Sequence, residues 1–137
     1  MSDNPNFPYV LDNVILVSVD CKRAQQVPEN LQTVFSVQFG VAEVEPSQLQ
    51  VSVKCTTAAD APVSFTVELI GSFRLVEGAT RIQSELIFGL AVDRAFPLLW
   101  QHVAQIVLEL TARMGMNPIR LPMPPLSAER PAEIPAP

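Results

Sequence analysis

The sequence predicts an α+β fold: a four-stranded antiparallel sheet with one long helix and one short helix packed on one face. Two observations predict this class. Apolar and polar residues alternate four times in the first half of the chain, and helical periodicity replaces that alternation after Gly78. The connections at residues 45–48 and 58–62 are too short for the crossover that parallel strands need. A chain of 137 residues suits a single domain, which we expect to span residues 1–126.

Four strands are predicted from the alternation, because neighbouring side chains of a strand point to opposite faces of the sheet. The predicted strands cover residues 11–21, 35–41, 49–55 and 63–75. Val14 and Leu16 blur the alternation in the first of them. Since each strand has one apolar and one polar face, we expect the sheet to be covered on one side only. Residues 23–32 form a longer connection, with enough length to run across the sheet.

Two helices are predicted in the second half of the chain. Residues 79–90 hold a short helix, and a longer one runs from Phe96 to Met114 with Pro97 in its first turn. Gly115 follows as the left-handed residue that ends many helices, and Pro118 lies just beyond it. The second half of the domain is therefore expected to be helical up to this glycine.

The long helix is more apolar than one sheet face requires. At 100° per residue its apolar side chains cover an arc of roughly 200°, whereas a surface helix buries a stripe of about 100° or somewhat more. We therefore predict that this helix packs on its own sheet and also on a second subunit. The candidate interface residues are Val103, Val107, Leu108 and Thr111. The alternative is that the C-terminal segment folds back over the surplus apolar surface.

Composition and charge exclude several classes of protein. Hydrophobic residues make up 48% of the chain and the mean hydropathy is +0.25, which is too apolar for intrinsic disorder. A net charge of -5 disfavours binding to nucleic acid or to an anionic membrane surface. The sequence shows no signal-peptide core and no apolar run long enough for a membrane span, so we expect a cytoplasmic protein. Residues 127–137 are rich in proline, and we expect them to be a disordered tail.

No arrangement of residues points to catalysis. His102, the single histidine, is predicted on the polar face of the long helix, with no nucleophile nearby in sequence. Cys21 and Cys55 fall on apolar strand faces, so we interpret them as core thiols rather than as metal ligands or a disulfide. The sequence contains no Gly-rich phosphate loop and no nucleophile elbow. We therefore expect no enzymatic activity, no cofactor and no metal.

The order of the elements and three short motifs resemble the SecB protein-export chaperone family. Residues 65–73, Phe-Thr-Val-Glu-Leu-Ile-Gly-Ser-Phe, are similar to the last strand of that family with its Gly-x-Phe element. Phe96-Pro97 resembles the start of the family's first long helix. Residues 113–126, Arg-Met-Gly-Met-Asn-Pro-Ile-Arg-Leu-Pro-Met-Pro-Pro-Leu, resemble the family's exit from that helix. The resemblance extends over roughly residues 8–126.

The resemblance implies an ATP-independent holdase that binds unfolded or nascent polypeptides and forms a homotetramer, a dimer of dimers. Apolar side chains are expected to line the client site, and the candidates are Phe88, Phe96, Trp100, Met123 and Leu126. For each of them ordinary packing in the core or between subunits is the alternative, and the more frequent role of such residues. The family also implies a role in protein export, with the translocase motor docked on an acidic sheet face. Here the corresponding face carries three acids and three bases: Asp12, Asp20, Glu68, Lys22, Lys54 and Arg74.

Two other hypotheses stay open. A SecB-like chaperone can serve one narrow client, such as the antitoxin of a toxin–antitoxin pair, and a neighbouring toxin gene would favour this hypothesis. A small ligand-binding or enzymatic α+β domain would instead enclose a pocket with a polar group inside it. Polar residues are scarce on the predicted apolar faces, which counts against an enclosed polar pocket.

Overall fold

Six elements form the part of the chain that the computed structural model describes, residues 7–29, 31, 33–45 and 47–124. In chain order they are β1 (Tyr9–Arg23), β2 (Phe35–Glu45), β3 (Gln48–Thr57), β4 (Val63–Leu75), α1 (Ser84–Arg94) and α2 (Phe96–Arg113). The α+β class that the sequence predicts is confirmed. Leu126 and the expected tail at residues 127–137 lie outside the described residues, so the expectations for them stay predictions.

The four strands form one antiparallel sheet in the order β1-β4-β3-β2. Tight connections join β2 to β3 and β3 to β4, as the short links in the sequence predict. Strands β1 and β2 lie at opposite edges of the sheet, so the chain between them passes from one edge to the other. The sequence predicted that the connection at residues 23–32 is long enough to cross the sheet in this way.

The helices cover one face of the sheet, and the odd-numbered side chains of β3 and β4 point towards them. These side chains are almost completely buried: Leu49, Val51, Val53, Cys55, Val63, Phe65, Val67, Leu69 and Phe73. Most even-numbered residues of the two strands are polar and lie partly exposed on the opposite face. The one-sided cover of the sheet therefore follows from the alternation in the sequence.

Strand β1 departs from simple alternation because its register with β4 shifts twice, around Asp12 and around Val17. Each shift places an extra residue in β1, as in a β-bulge, and reverses the face to which the next side chains point. Between the two shifts, Val14 and Leu16 lie opposite core-facing residues of β4. The blurred alternation in the sequence is therefore the trace of two bulges.

Helix α1 begins later than the sequence predicts, at Ser84 rather than near residue 79, and it extends to Arg94. The segment before it is fixed to β2 by polar contacts. The Arg81 guanidinium donates to a Glu43 carboxylate oxygen at 2.7 Å, and the Ser84 hydroxyl donates to the other oxygen at 3.3 Å. The same arginine holds the pKa of the Glu43 carboxyl below its usual value, mainly by hydrogen bonding. These contacts hold Arg81 and Ser84 against β2 at the point where the chain enters α1.

Helix α2 packs closely on the middle of β4. Leu99 is fully buried, and a Cβ atom added to Gly71 would lie 2.7 Å from its Cδ2 atom. The missing side chain at Gly71 therefore allows the helix to approach the strand. The helix ends at Arg113, and Gly115 has a φ of +74°, which confirms the predicted left-handed residue beyond its C-terminus.

The predicted oligomer interface residues of α2 lie mostly inside the single chain. Val103, Val107 and Thr111 are 0%, 1% and 0% exposed, because the centre of the apolar arc faces its own sheet. We therefore correct their assignment from a subunit interface to the core. Leu108 is half-buried at the flank of the arc, and an interface role for it stays a prediction.

Candidate peptide-binding groove

A groove of about 530 Å³ opens between two irregular segments of the chain. One wall is the connecting segment, made of the described residues 24–29, 31, 33 and 34 between β1 and β2. The other wall is the return segment, residues 115–122, which follows α2. Apolar side chains from both walls and from the start of β2 line the groove: Val27, Pro28, Leu31, Phe35, Met116, Pro118, Ile119, Leu121 and Pro122. Polar side chains share the lining: Arg23, Glu29, Thr33, Asn117 and Arg120. This volume and this mixed lining suit a short stretch of a ligand that carries both apolar and polar groups.

Arg23, the last residue of β1, joins the bases of the two walls. Its guanidinium donates to the carbonyl oxygens of Ala24 at 3.0 Å and Gln25 at 3.2 Å, and to that of Met114 at 2.8 Å. The Cys21 thiol, two residues earlier, lies 3.7 Å from the Met114 sulfur. A planar guanidinium carries several donors in a fixed geometry, so one side chain can hold three carbonyls. The end of β1 therefore sets the spacing of the walls at their base.

A buried hydroxyl ties the return segment to α2. Thr111 donates to the Val107 carbonyl at 2.8 Å and accepts the hydrogen bond of the Ile119 amide at 2.9 Å. Ile119 and Leu121 also pack against the hydrophobic core. The C-terminal segment therefore folds back against the helix, which is the alternative to subunit packing that the sequence left open.

We call Phe35, the lining residue that β2 contributes, the floor of the groove, and an aromatic stack connects it to the core. The rings of Phe35 and Trp100 stack with their centroids 5.8 Å apart, and Trp100 stacks on Phe96 at 5.6 Å. Phe39 then contacts Phe96 and Phe88 edge-on, at 5.5 and 5.7 Å. Each such pair contributes about 0.5–1.5 kcal/mol beyond its buried area. The floor residue Phe35 is thus connected to the core by a continuous series of ring contacts.

The predicted client-binding residues that the structure describes do not line the groove. Phe96 and Trp100 are each 2% exposed and belong to the aromatic stack, so we correct their role from client contact to support of the floor. Phe88 is half-buried at the far end of the stack. Met123 is 52% exposed, just beyond the return segment. Client contact by Phe88 or Met123 stays a prediction, and Leu126 lies outside the described residues.

Sequence reasoning missed the apolar lining of the connecting segment. Between residues 23 and 32 this segment has no aromatic residue, so it gave no sign of a binding surface. The available signal was weaker: Val27 and Leu31 are two aliphatic residues in a stretch of Gln, Pro, Glu and Asn. The wall that they face is formed by residues more than 80 positions away, and periodicity carries no information about that pairing.

The other chemically reactive side chains show no reactive centre within the described part of the chain. Burial raises the pKa of the Cys55 thiol to about 12, and burial with the neighbouring Asp20 carboxylate raises that of Cys21. Both thiols are therefore protonated and weakly nucleophilic at neutral pH. His102 is exposed on α2. Among the same described residues, no cluster of His, Cys, Asp and Glu is arranged to hold a metal ion, and no helix has the length and apolarity to cross a membrane.

The architecture is strongly similar to a solved chaperone structure. The SecB-like chaperone Rv1957 of Mycobacterium tuberculosis, in complex with a ChAD peptide from the HigA1 antitoxin, superposes with a TM-score of 0.66. The match covers 85% of this chain and 90% of that chain. The fold is SecB-like. Sequence identity over the match is 17%, so the likeness establishes the fold alone.

A protein of unknown function from Streptococcus agalactiae is similar at a TM-score of 0.45 and 15% identity, over 84% of this chain and 97% of that chain, and it carries no argument. No protein-family model and no curated protein matches the sequence.

Proposed function

We propose that this SecB-like protein is an ATP-independent holdase chaperone that binds apolar segments of unfolded or nascent polypeptides in its groove. The groove itself carries the proposal. Two segments of backbone face each other with apolar side chains between them, and Arg23 fixes their spacing. The fold supports it, because the similar SecB-like chaperone was solved with a bound peptide. No covalent bond changes, and the chaperone acts by lowering the concentration of free unfolded chain.

Binding draws its free energy from apolar side chains that leave water for the groove. Full burial of one side chain of the size of Leu or Phe contributes about 1.5–3 kcal/mol. Ordering an extended segment of the client costs part of that gain. A single groove is therefore expected to bind weakly and reversibly, and several grooves on one assembly would bind the same client much more tightly.

The test of this proposal is an aggregation assay without nucleotide, with two variants of the connecting segment. Leu31 lines the groove, whereas Val34 is 80% exposed and is not among the lining residues. We expect the wild-type protein to suppress aggregation of an unfolded client, Leu31→Asp to lose most of that effect, and the control Val34→Asp to keep it. Full protection by Leu31→Asp would show that clients bind elsewhere.

We also propose that copies of the chain assemble through the free edge of β1. Five large apolar side chains of this strand are 39% to 48% exposed: Val10, Ile15, Leu16, Val17 and Val19. A long, apolar edge strand promotes aggregation unless another strand pairs with it. A second copy can pair with it about a two-fold axis. Two such dimers would give the tetramer that the SecB resemblance implies.

Light scattering on charged variants of the sheet edges tests this assembly. Val17 lies on β1 and Val44 on β2 at the opposite edge, and they are 47% and 50% exposed. We expect Val17→Lys to reduce the mass of the assembly, because each contact would bring two like charges together, and Val44→Lys to leave it unchanged. A wild-type protein that is monomeric at micromolar concentration would contradict the proposal.

A chaperone dedicated to one client is the second candidate. It is favoured by the peptide in the similar structure, which comes from an antitoxin, and by the limited volume of the groove. A wild-type protein that protects no unrelated client at about tenfold excess would favour this candidate over a general holdase. Protection of an antitoxin encoded beside the chaperone would then identify the client.

The proposal does not extend to the translocase motor. The opposite sheet face is nearly balanced in charge, because the register places Glu45 beside the acids expected there and gives four acids against three bases. Arg74 lies 3.9 Å from Asp12 within an exposed ion pair. A face of nearly balanced charge gives a basic partner little electrostatic attraction. We therefore expect no measurable binding of the motor at physiological salt, and a stable complex with it would restore export as the function.

A further inference from the structure

The groove carries an excess of positive charge on an acidic protein. The chain has 14 acidic and 9 basic residues, for a net charge of -5. The charged residues that line the groove are two arginines, Arg23 and Arg120, and one acid, Glu29. The net charge of the groove lining is therefore opposite in sign to that of the whole molecule, and it attracts negatively charged groups of a ligand.

The two arginines contribute in different ways. The Arg23 guanidinium is held by three backbone carbonyls, so it supplies a fixed positive charge at the base of the groove. Arg120 lies between Ile119 and Leu121, which pack against the core, while its own side chain is exposed. No ion pair or hydrogen bond of the Arg120 side chain is found within the described residues. Its guanidinium is thus available to a ligand, directly beside the apolar lining.

We infer that the groove selects polypeptide segments in which an acidic side chain lies next to an apolar one. This inference rests on the proposed function and specifies its substrate class. A guanidinium can receive a carboxylate through two parallel hydrogen bonds, which makes Arg120 the specificity-determining residue. Glu29 belongs to the opposite wall and repels a carboxylate placed there. The acid of the client therefore lies along the return segment, and its apolar neighbour enters the lining.

The size of the preference follows from the exposure of Arg120. Ion pairs between exposed side chains contribute about 0.2–1 kcal/mol, so replacing the acid of a bound peptide by an amide is expected to weaken binding by a factor of about 1.4 to 5. A peptide with a base in the same place is expected to bind more weakly still. Salt screens exposed charges, so the differences are expected to shrink at high ionic strength.

The experiment measures fluorescence anisotropy of three labelled peptides that share one apolar core and carry Glu, Gln or Lys beside it. They are titrated with the wild-type protein and with Arg120→Gln, Arg120→Glu and Arg113→Gln. Arg113 is the matched control, because it is an exposed arginine in the last turn of α2 and is not among the lining residues. Circular dichroism establishes that each variant is folded.

For the wild-type protein and Arg113→Gln we expect the Glu peptide to bind best and the Lys peptide worst. Arg120→Gln should bind all three with nearly equal affinity, and Arg120→Glu should reverse the order. Equal binding of the three peptides by the wild-type protein overturns this inference and leaves the proposed function standing. An unchanged order in folded Arg120→Gln overturns the assignment to Arg120. Absence of binding for all three peptides refutes the groove as a client site, and the inference with it.

Discussion

The close approach of α2 to the sheet at Gly71 gives a sharp test of the packing. A methyl group added there would lie 2.7 Å from Leu99 Cδ2, 3.2 Å from Leu99 Cδ1 and 3.3 Å from Leu11 Cδ1. Ordinary van der Waals contact begins at 3.4 Å. Leu99 is fully buried between α2, to which it belongs, and the sheet, so its side chain has little room in which to move away. Gly71→Ala therefore forces the helix or the leucine to shift.

The expected cost is the difference between two opposing effects. Overpacking a well-filled core costs about 1–3 kcal/mol. Replacing glycine by alanine lowers the entropy of the unfolded chain. Because Gly71 lies in a strand, whose backbone conformation alanine also adopts, this effect offsets about 0.4–1 kcal/mol of the lost stability. The net destabilisation of Gly71→Ala is then about 1–2 kcal/mol, which for a domain of this size lowers the Tm by about 3 to 8 °C.

Urea unfolding of a double-mutant cycle with Leu99→Ala measures the contact directly, at fixed protein concentration. Leu99→Ala alone leaves a cavity and costs about 2–5 kcal/mol. In the Gly71→Ala background the added methyl fills part of that space. The destabilisation of the double mutant should therefore be smaller than the sum of the two single-mutant costs, by about 1 kcal/mol or more. Strictly additive costs would refute the close approach of helix and strand.

Gly40→Ala is the matched control for this experiment. A Cβ at Gly40 would meet only the Ser52 Oγ atom, at 2.9 Å, on the opposite face of the sheet. That oxygen is the end of a half-buried side chain that can rotate to another rotamer. We expect the stability of Gly40→Ala to stay within about 0.5 kcal/mol of the wild type. An equal loss in both glycine variants would mean that strand substitution, and not helix packing, determines the cost.

Three further predictions concern side chains that the structure places in defined environments. Thr111→Val removes the acceptor of the Ile119 amide and should lower the free energy of unfolding by about 1–2 kcal/mol, as measured with urea. It should also weaken peptide binding in the groove, and unchanged binding would show that the return segment is not part of the binding site. Cys55, whose pKa is raised to about 12, should react with iodoacetamide at pH 8 only after unfolding, and rapid native labelling would contradict its burial. Glu43 is ionised more readily in the folded state because of Arg81, so its contribution to stability is present above the ordinary carboxyl pKa of 4.5 and is lost as the pH falls below it. The Tm advantage of the wild type over Glu43→Gln should therefore shrink between pH 7 and pH 3, and a constant difference would contradict the lowered pKa.

The class of the fold was readable from the sequence because burial on one face imposes a period of two on each strand. The limits of that reasoning appear in β1. There the bulges around Asp12 and Val17 reverse the side-chain direction twice, and a pattern that reverses in this way looks like noise in a sequence. The predicted start of α1, near residue 79, was wrong for a related reason. The residues ahead of Ser84 are held by Glu43 on a distant strand, and no local preference records such a contact.

The location of the groove was harder to predict than the fold. The apolar arc of α2 was identified correctly, but periodicity does not say what covers each part of an arc. The centre turned out to face the sheet, where Val103 and Val107 are buried, and the return segment is tied to the helix by Thr111. Phe96 and Trp100 were predicted to contact the client, but both are buried in the core behind the lining residue Phe35. Large rings are commonly buried for their packing area, so their presence marks the support of a site as readily as its surface.

Under the proposed function the protein would have to release its clients without ATP, and a groove that binds weakly would meet this requirement. If one segment binds with a dissociation constant of about 10 μM and associates at about 10⁶ M⁻¹s⁻¹, it leaves in about 0.1 s. Small domains fold at rates between about 1 and 10⁵ s⁻¹, so a bound lifetime of about 0.1 s is no longer than the slower of these domains need to fold. Tight binding in one groove would hold a client that is ready to fold. Weak grooves repeated around an assembly avoid this, because a long unfolded chain occupies several of them at once, whereas a folding chain loses them one by one. In the proposed assembly the limited volume of the groove and the apolar free edge of β1 would therefore be complementary: the first would keep each contact reversible, and the second would supply the means of repeating it.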